Sequence, residues 1–374
     1  MGFNPTPDNP VEAARFLSLL DLTSILPMLE AFYGEPWRHR HPPEAMLRLL
    51  ALYRLKRLRF LTELWRLLDE EVLGLLGFGW RPSYKTVWHW LKVRIKEEGL
   101  ERIHEALTMA LGEALEAQDI HMGTKVSGDA TPITAKPRDP EARYNGYYRR
   151  VCYLLHRLVC CATNLTIAWT VTPGNVDEAP LLTPLLLKAR LLGMRVVEAA
   201  CDNGYSSPWN YATTWLMGVK ARIGFRRRAK PNWRGKPRTL RLRYRKMVKA
   251  GLLKADHLET LGLDPNPEGL EEVLLGLMLA NQHEYVGAHR RNLSLEEFKT
   301  HKTAWLTQYR AMHNVAEGSN GHQKDWLGLD SLKARGLRKA RLHAALTMLS
   351  EALIAYTRIQ KGVTKSLTSL AGLT

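Results

Sequence analysis

The sequence predicts an α/β protein, in which helices flank a mixed β-sheet. An all-α region precedes the sheet, and a long insertion interrupts it. Residues 10–120 are rich in Leu, Ala, Arg and Glu, with apolar residues at helical spacing. From Thr124 onward, short strand-like runs come first and then alternate with helical ones. Strands in this order predict a mixed sheet covered by helices.

The chain of 374 residues is long enough for two or three domains with a sizeable core. We divide it into a helical domain (1–120), the first part of the α/β core (121–224), a basic insertion (225–300), and the second part of the core with the C-terminal helices (301–374). Long insertions in compact domains are usually functional or disordered.

The N-terminal region begins with two predicted helices. Pro42-Pro43 opens the first, from Glu44 to about Arg59, because proline suits the first turn of a helix. The second fits Leu61 to Leu68. Glycines at 74, 77 and 79 then break the helical pattern.

A third predicted helix follows these glycines. Ser83 is a suitable cap for it, and it extends from Tyr84 to about Lys96 with basic and aromatic side chains. A short helix, a glycine-rich turn and a basic aromatic helix resemble a helix-turn-helix. An ordinary helical bundle with its tryptophans in the core explains the same pattern.

The α/β region contains five strand-like runs, at 124–128, 151–161, 165–172, 195–201 and 219–224. Asn145-Gly146 is a turn signal between the first two. Helices are predicted at 177–192 and 208–217, then at 268–280 and 294–306 within and after the insertion, again from about Val315, and finally at 336–359.

The chain is strongly basic, with a formal net charge of +17 and a pI near 9.8. This imbalance favours a polyanionic partner, either nucleic acid or an anionic membrane. No apolar run reaches the roughly 18–20 residues of a membrane span, and the N-terminus lacks the pattern of a secretory signal. We therefore expect a cytoplasmic protein without a membrane partner. None of the four cysteines is in a Cys-x-x-Cys pair, which argues against a zinc knuckle and favours buried free thiols.

Three widely separated acids have contexts that suit metal-assisted phosphodiester chemistry. Asp129 follows small residues, Asp202 follows the apolar run 195–201, and Glu317 begins a polar segment with Lys324 seven residues later. Two Mg²⁺ ions about 3.5–4 Å apart activate the attacking oxygen and stabilise the leaving one, and Mg²⁺ prefers carboxylate oxygens. Each acid taken alone is better explained as a cap or a turn residue.

Other acids are weaker candidates for the same role. Asp177 and Glu178 lie where a helix is expected to begin, so capping and the helix dipole account for them. Glu198 lies within a predicted strand, and Asp325 follows Lys324. The histidines are scattered along the sequence.

Four segments together resemble the DDE-type transposases of bacterial insertion sequences, in the superfamily of insertion sequences four and five. They are Gly128-Asp129-Ala130-Thr131, the stretch from Thr172 through Asp177-Glu178, Asp202-Asn-Gly-Tyr205, and Glu317 with Lys324. The basic stretch 333–341 is also similar to the family's C-terminal part. The resemblance covers residues 120–350.

The resemblance implies a ribonuclease H-like core, with one Asp on the first strand, a second Asp after the fourth strand and a Glu on a later helix. It implies that Asp129, Asp202 and Glu317 bind two Mg²⁺ ions, with Mn²⁺ as an alternative. Water then cleaves the element end, and the freed 3′-hydroxyl attacks target DNA. It also implies double-stranded DNA as the partner, a homodimer holding two DNA ends, and a nucleoid-associated location.

The last motif departs from the family's pattern of Tyr, two residues, Arg, three residues, Glu, six residues and Lys. The spacing from Glu317 to Lys324 is kept. The Arg position holds His313, and the Tyr position holds Arg310, with Tyr309 beside it.

The predicted DNA contacts come from several parts of the chain. The helical domain 1–120 is the expected DNA-binding or dimerisation domain, and the insertion is expected to contact the element ends through phosphate neutralisation. Trp233 is a candidate for stacking on an extruded base, or for a local core. The full set is Lys85, Lys92, Arg149, Arg150, Arg226, Arg227, Arg228, Lys230, Trp233, Arg234, Lys236, Arg310, His313 and Lys324.

Two other functions fit the same sequence. One is a catalytically silent DNA-binding protein derived from a transposase. The other is a nuclease of the ribonuclease H-like fold that does not transfer strands.

Overall fold

The computed structural model describes residues 9–32, 41–224, 295–330 and 332–369. Within these residues, six α-helices precede the sheet. They are α1 (Pro10–Ser18), α2 (Leu26–Ala31), α3 (Pro43–Leu55), α4 (Glu70–Leu76), α5 (Tyr84–His89) and α6 (Lys96–Glu116). A π-helical stretch, Trp90–Ile95, joins α5 to α6.

The glycine-containing part of the N-terminal region is more helical than predicted. The expected helix at 61–68 is a 3₁₀ helix, Leu61–Arg66, and α4 follows it directly. The carboxylate of Asp69 caps α4 by accepting a hydrogen bond from the Val72 amide at 2.8 Å. Gly77 ends α4 with a φ of 92°, a conformation that favours glycine.

The third predicted helix begins where expected, because the Ser83 hydroxyl accepts a hydrogen bond from the Thr86 amide at 3.1 Å. The tryptophans of this segment have two environments. Trp90 is buried, whereas Trp88 is 44% exposed. The interpretation that the tryptophans lie in the core therefore holds for Trp90 and not for Trp88, and the resemblance to a helix-turn-helix stays a prediction.

The described strands form a six-stranded mixed sheet. They are β1 (Lys125–Thr134), β2 (Arg143–Asn145), β3 (Arg150–Cys160), β4 (Thr166–Pro173), β5 (Glu198–Cys201) and β6 (Lys220–Ile223). β3 pairs antiparallel with β1, β2 and β4, whereas β1, β5 and β6 pair in parallel. All five predicted strands are present, although β5 begins three residues later than predicted and β1 continues six residues beyond its expected end, and the short strand β2 was not predicted. The predicted turn is also confirmed: the Asn145 side chain accepts hydrogen bonds from the amides of Tyr147 and Tyr148, each at 2.9 Å.

Four further described helices flank the sheet: α7 (Leu182–Leu191), α8 (Pro208–Leu216), α9 (Leu295–Leu327) and α10 (Leu337–Gln360). α9 packs on β1, and α10 packs on β4 and on α3 and α6. The predicted break between 306 and 315 was wrong, since α9 is continuous from Leu295 to Leu327. The predicted helix at 268–280 lies outside the described residues.

The interior is apolar and contains three buried free thiols, Cys152, Cys160 and Cys201, with Cys161 partly buried. This agrees with the expectation for the cysteines. No described helix combines the length and the apolar character that a membrane crossing requires.

Candidate active site

Asp129 and Asp202 emerge side by side from two neighbouring parallel strands. Gly128 of β1 is paired in register with Cys201 of β5, so the residues that follow them lie at the same level of the sheet. A Cβ at position 128 would lie 2.8 Å from Sγ of Cys201, so the close contact requires glycine. The strand pairing therefore brings together two acids that are far apart in the sequence.

Both aspartates are fixed by backbone amides. Oδ1 of Asp129 accepts a hydrogen bond from the Ala130 amide at 2.8 Å, and Oδ1 of Asp202 accepts one from the Gly204 amide at 2.7 Å. Burial raises the pKa of Asp129 to about 6, and the negative charge of Asp202 adds to the increase. The nearby positive groups His313 and Arg157 oppose this shift but do not cancel it.

Glu178 is a third acid at the same place. Its carboxyl forms a hydrogen bond with Asp202, and burial together with the charges of Asp202 and Asp129 raises its pKa to about 8. The expectation that capping explains Glu178 was wrong, because its side chain makes no capping hydrogen bond. Asp177 does have this local role, since its Oδ1 accepts a hydrogen bond from the Ala179 amide at 3.4 Å.

Gly204 provides the space in which Glu178 reaches Asp202. A Cβ at position 204 would clash with Oε2 of Glu178 and would lie 2.9 Å from Oδ1 of Asp202. The fold therefore requires glycine at position 204 of the Asp202-Asn-Gly segment, because a side chain there would clash with these carboxylates. The segment itself is a short 3₁₀ turn, Asn203–Tyr205, directly after β5.

α9 covers the acids with a polar face. Nδ2 of Asn320 donates a hydrogen bond to Oδ2 of Asp129 at 2.5 Å. Tyr309 and His313 lie on nearly the same side of the helix as Asn320, because 3.6 residues make one turn. Their rings are stacked with centroids 5.2 Å apart. The helix therefore presents an amide, an imidazole and a phenol to the acid cluster.

Behind Asp129, a buried polar network holds Asn320. The fully buried Arg157 of β3 donates hydrogen bonds to Oδ1 of Asn320 and, at 3.0 Å, to the Thr166 hydroxyl. Glu351 of α10 accepts hydrogen bonds from the Thr166 amide at 3.0 Å and from Nε2 of Gln323 at 2.9 Å. This network, which sequence reasoning missed, links the position of Asp129 to four other elements of the fold, β3, β4, α9 and α10.

Glu317 lies at the margin of the cluster. Its side chain is 63% exposed, and its carboxylate is 3.6 Å from Nε2 of His313. It is displaced about 60° around the helix from Asn320. The pKa of Tyr309 is raised by its burial and by the negative charges of Asp202, Asp129 and Glu317, so all three predicted acids lie near this phenol.

Two more tyrosines surround the acids. The hydroxyl of Tyr148 donates a hydrogen bond to the carbonyl oxygen of Ala130 at 2.8 Å. The pKa values of Tyr148 and Tyr205 are raised by burial and by the negative charges of the acid cluster. Among the described residues, the buried hydroxyl of Tyr205 has no hydrogen-bond partner.

The chemistry of the cluster suits a divalent cation, although its side chains are not yet arranged as a coordination shell. Among the described residues, no three His, Cys, Asp or Glu side chains form a group that would hold a metal ion. Asp129, Asp202 and Glu178 nevertheless supply the carboxylate oxygens that Mg²⁺ prefers. Burial and then mutual repulsion raise the pKa values of Asp129 and Glu178, and a bound cation would offset the repulsion.

The predicted DNA contacts fall into three groups. Lys92 and Lys324 line one cleft beside the acid site. Lys85, Arg149, Arg150 and Arg310 have exposed side chains, and His313 is partly buried against Glu317. The predicted contacts of the insertion, 226–236 with Trp233, lie outside the described residues.

Comparison with known proteins adds no family assignment. No protein-family model matches the chain, and neither does any curated protein or solved structure.

Proposed function

We propose that the protein is a DDE transposase of an insertion sequence, which binds element ends and carries out metal-dependent cleavage and transfer of DNA strands. One observation carries the proposal. Asp129 and Asp202 lie side by side on register-paired parallel strands, with the Glu178 carboxyl hydrogen-bonded to Asp202. Repelling carboxylates of this kind are typical of sites that bind cations for phosphodiester chemistry.

The order of the elements supports a ribonuclease H-like core for this proposal. Asp129 lies on β1, the first strand. Asp202 directly follows β5, which is the fourth strand when the three-residue β2 is not counted. Glu317 lies on the later helix α9. This is the arrangement that the resemblance to the transposases implies.

The acids would hold the metal ions. We assign Asp129 and Asp202 as ligands and Glu317 as the ligand that completes the site in the DNA complex, with Glu178 as the residue that positions Asp202. Two bound Mg²⁺ ions, or Mn²⁺ in their place, supply an activated oxygen nucleophile and stabilise the leaving oxygen.

The remaining polar residues orient these acids and the DNA. Asn320 fixes Oδ2 of Asp129 by its hydrogen bond. His313 is 3.6 Å from the carboxylate of Glu317 and close enough to Asp129 to interact with its charge. Lys324 is close enough to Asp129 for the two charges to interact, so it is suitably placed to hold a phosphate beside the acids.

Charge supports DNA as the substrate. The net charge of +17 provides many cations for phosphate neutralisation. DNA binding is therefore expected to weaken steeply with salt, by about 0.9 log units per log unit of salt for each neutralised phosphate. Because the resemblance implies two DNA ends held together, we propose a homodimer on DNA.

A product assay with a tagged donor end tests the proposal. The full chain, with Mg²⁺, a labelled element-end duplex and a target plasmid, should give joined products. Asp129→Asn and Asp202→Asn should each abolish cleavage and joining, whereas Asp177→Asn, which changes a neighbouring exposed acid, should retain both. Cleavage without joining would favour the nuclease alternative. Binding without cleavage by any form would favour the silent DNA-binding protein.

A further inference from the structure

A basic and aromatic cleft lies beside the acid site. It is formed by the end of α3 and the loop after it, by α5 with the π-helical stretch, and by the connection between α9 and α10. Its volume is about 450 Å³. Besides the buried Arg54, six cations line it, against the single carboxylate of Asp330: Arg57, Arg59, Lys92, Lys324, Lys333 and Lys339.

The charges of Asp330 and Glu97 act on Lys324 and Lys92, but no acid among the described residues neutralises these cations in a close ion pair. None of the six forms a salt bridge with a described carboxylate. The pKa of Lys92 is lowered by burial and by the positive charges of Lys339 and Arg338, so Lys92 and Lys339 lie close enough to repel each other. Crowded, unpaired cations in a partly buried cleft favour an anionic ligand.

Aromatic rings lie among these cations. Phe60, Tyr84 and Trp88 line the cleft and are 51%, 40% and 44% exposed. Tyr84 packs edge-to-face on Trp65, with centroids 5.6 Å apart. Neither Phe60 nor Trp88 makes a ring contact with another described aromatic side chain, so their exposed surfaces can accept a flat ligand.

We propose that this cleft binds an unpaired DNA strand, with phosphates on the cations and a base stacked on Trp88. The volume is in the range of pockets for small ligands, which suits a nucleotide or two better than a duplex. A positive groove with exposed aromatic side chains is the usual way in which proteins bind single strands. Lys324 both lines the cleft and interacts with the charge of Asp129, so the cleft leads toward the acids.

The inference extends the proposed function by naming a path for the strand, but its test needs no catalysis. Binding of a fluorescein-labelled oligothymidine to the full chain is measured by anisotropy in EDTA. Trp88→Ala should weaken binding by about 5- to 150-fold, whereas Trp88→Phe should restore most of it. Trp80→Ala is the matched control, because Trp80 is 58% exposed and does not line the cleft.

A second pair of variants tests the cations. Lys339→Gln should reduce the slope of log affinity against log salt by about 0.7, the value for one phosphate of a single strand. Arg341→Gln, two residues along α10 and exposed outside the cleft, should leave the slope unchanged. Equal effects of Trp88→Ala and Trp80→Ala, or a duplex that binds more tightly than the single strand and depends equally on Trp88, would overturn the inference. EDTA removes divalent metal ions, so both experiments measure binding without catalysis. A protein that cannot cleave DNA is therefore still expected to give these binding results.

Discussion

Asn320 on α9 donates a hydrogen bond to Asp129 on β1 across 2.5 Å, although the two residues are 191 positions apart in the sequence. The same amide accepts a hydrogen bond from the buried guanidinium of Arg157. Asp129 is therefore connected to a buried cation through one neutral side chain. Asn320 thus holds Asp129 in place without direct contact between Asp129 and the positive charge of Arg157. Because the Asp129 carboxylate is not paired with Arg157, it remains available to a cation.

Removing this amide should destabilise the protein. Asn320→Ala leaves the buried Arg157 with an unsatisfied donor and is expected to lower the free energy of unfolding by about 1–3 kcal/mol. Urea unfolding followed by circular dichroism measures this change. Asn314→Ala, at an exposed position of the same helix, is the control and should have little effect. Equal losses for the two variants would mean that the hydrogen bond is not a stabilising contact.

The acid cluster should make stability depend on pH. The pKa values of Glu178 (about 8) and Asp129 (about 6) lie above their ordinary values of 4.5 and 3.8, so the folded protein keeps protons that the unfolded chain has lost. Without divalent cations, stability is therefore expected to fall as pH rises from about 4 through 8.

Glu178→Gln should reduce the loss of stability at high pH. Glutamine removes one repelling charge and can still donate a hydrogen bond to Asp202. Above pH 8 in EDTA, Tm is expected to rise by about 2–4 °C, the shift that roughly 1 kcal/mol produces in a domain of 150–250 residues. Differential scanning calorimetry of Asp177→Asn provides the control. A Glu178→Gln protein that melts at or below the wild-type temperature would show that the cluster carries no such repulsion.

Glu317 and Glu178 should differ in their effect on activity. Glu317→Gln removes a proposed metal ligand and should lower the Mg²⁺-dependent cleavage rate by about 10²- to 10³-fold. Its Tm should be unchanged, because the side chain of Glu317 is exposed. Glu178→Gln should cost about 10- to 100-fold, the range for residues that position ligands. Single-turnover cleavage of an end duplex measures both. Asp325→Asn, at another exposed acid of α9, should cleave normally, and a Glu317→Gln protein equally active would remove Glu317 from the site.

The strands and most of the helices were predictable because their signals are local. Runs such as 151–161 are apolar except for His156 and Arg157, and Ser83 caps its helix through atoms three residues apart. The continuity of α9 was not predictable in this way. Gly318 and Gly321 weaken an isolated helix, whereas in the fold the buried contacts of Ser319, Asn320 and Gln323 stabilise it.

The candidate site was only partly predictable for a related reason. Asp129 lies on β1 and Asp202 directly follows β5, and both acids come right after predicted strand runs, so their meeting could be expected from sheet geometry. Glu178 has a local explanation at the start of a helix, and only the tertiary fold brings its carboxyl to Asp202. A charged residue in an apolar run, Arg157, was the one sequence signal of the buried network, but its partners come from other elements.

Binding of a divalent cation by the wild-type protein and its variants decides whether Asp129 and Asp202 form a cation site. Electron paramagnetic resonance of free Mn²⁺ at pH above 8 measures the affinity of the full chain. The wild type and Asp177→Asn should bind alike, whereas the double variant Asp129→Asn with Asp202→Asn should bind at least about tenfold more weakly, a loss of roughly 1.4 kcal/mol. Unchanged Mn²⁺ affinity in a folded double variant would contradict the claim that these two carboxylates form a cation site.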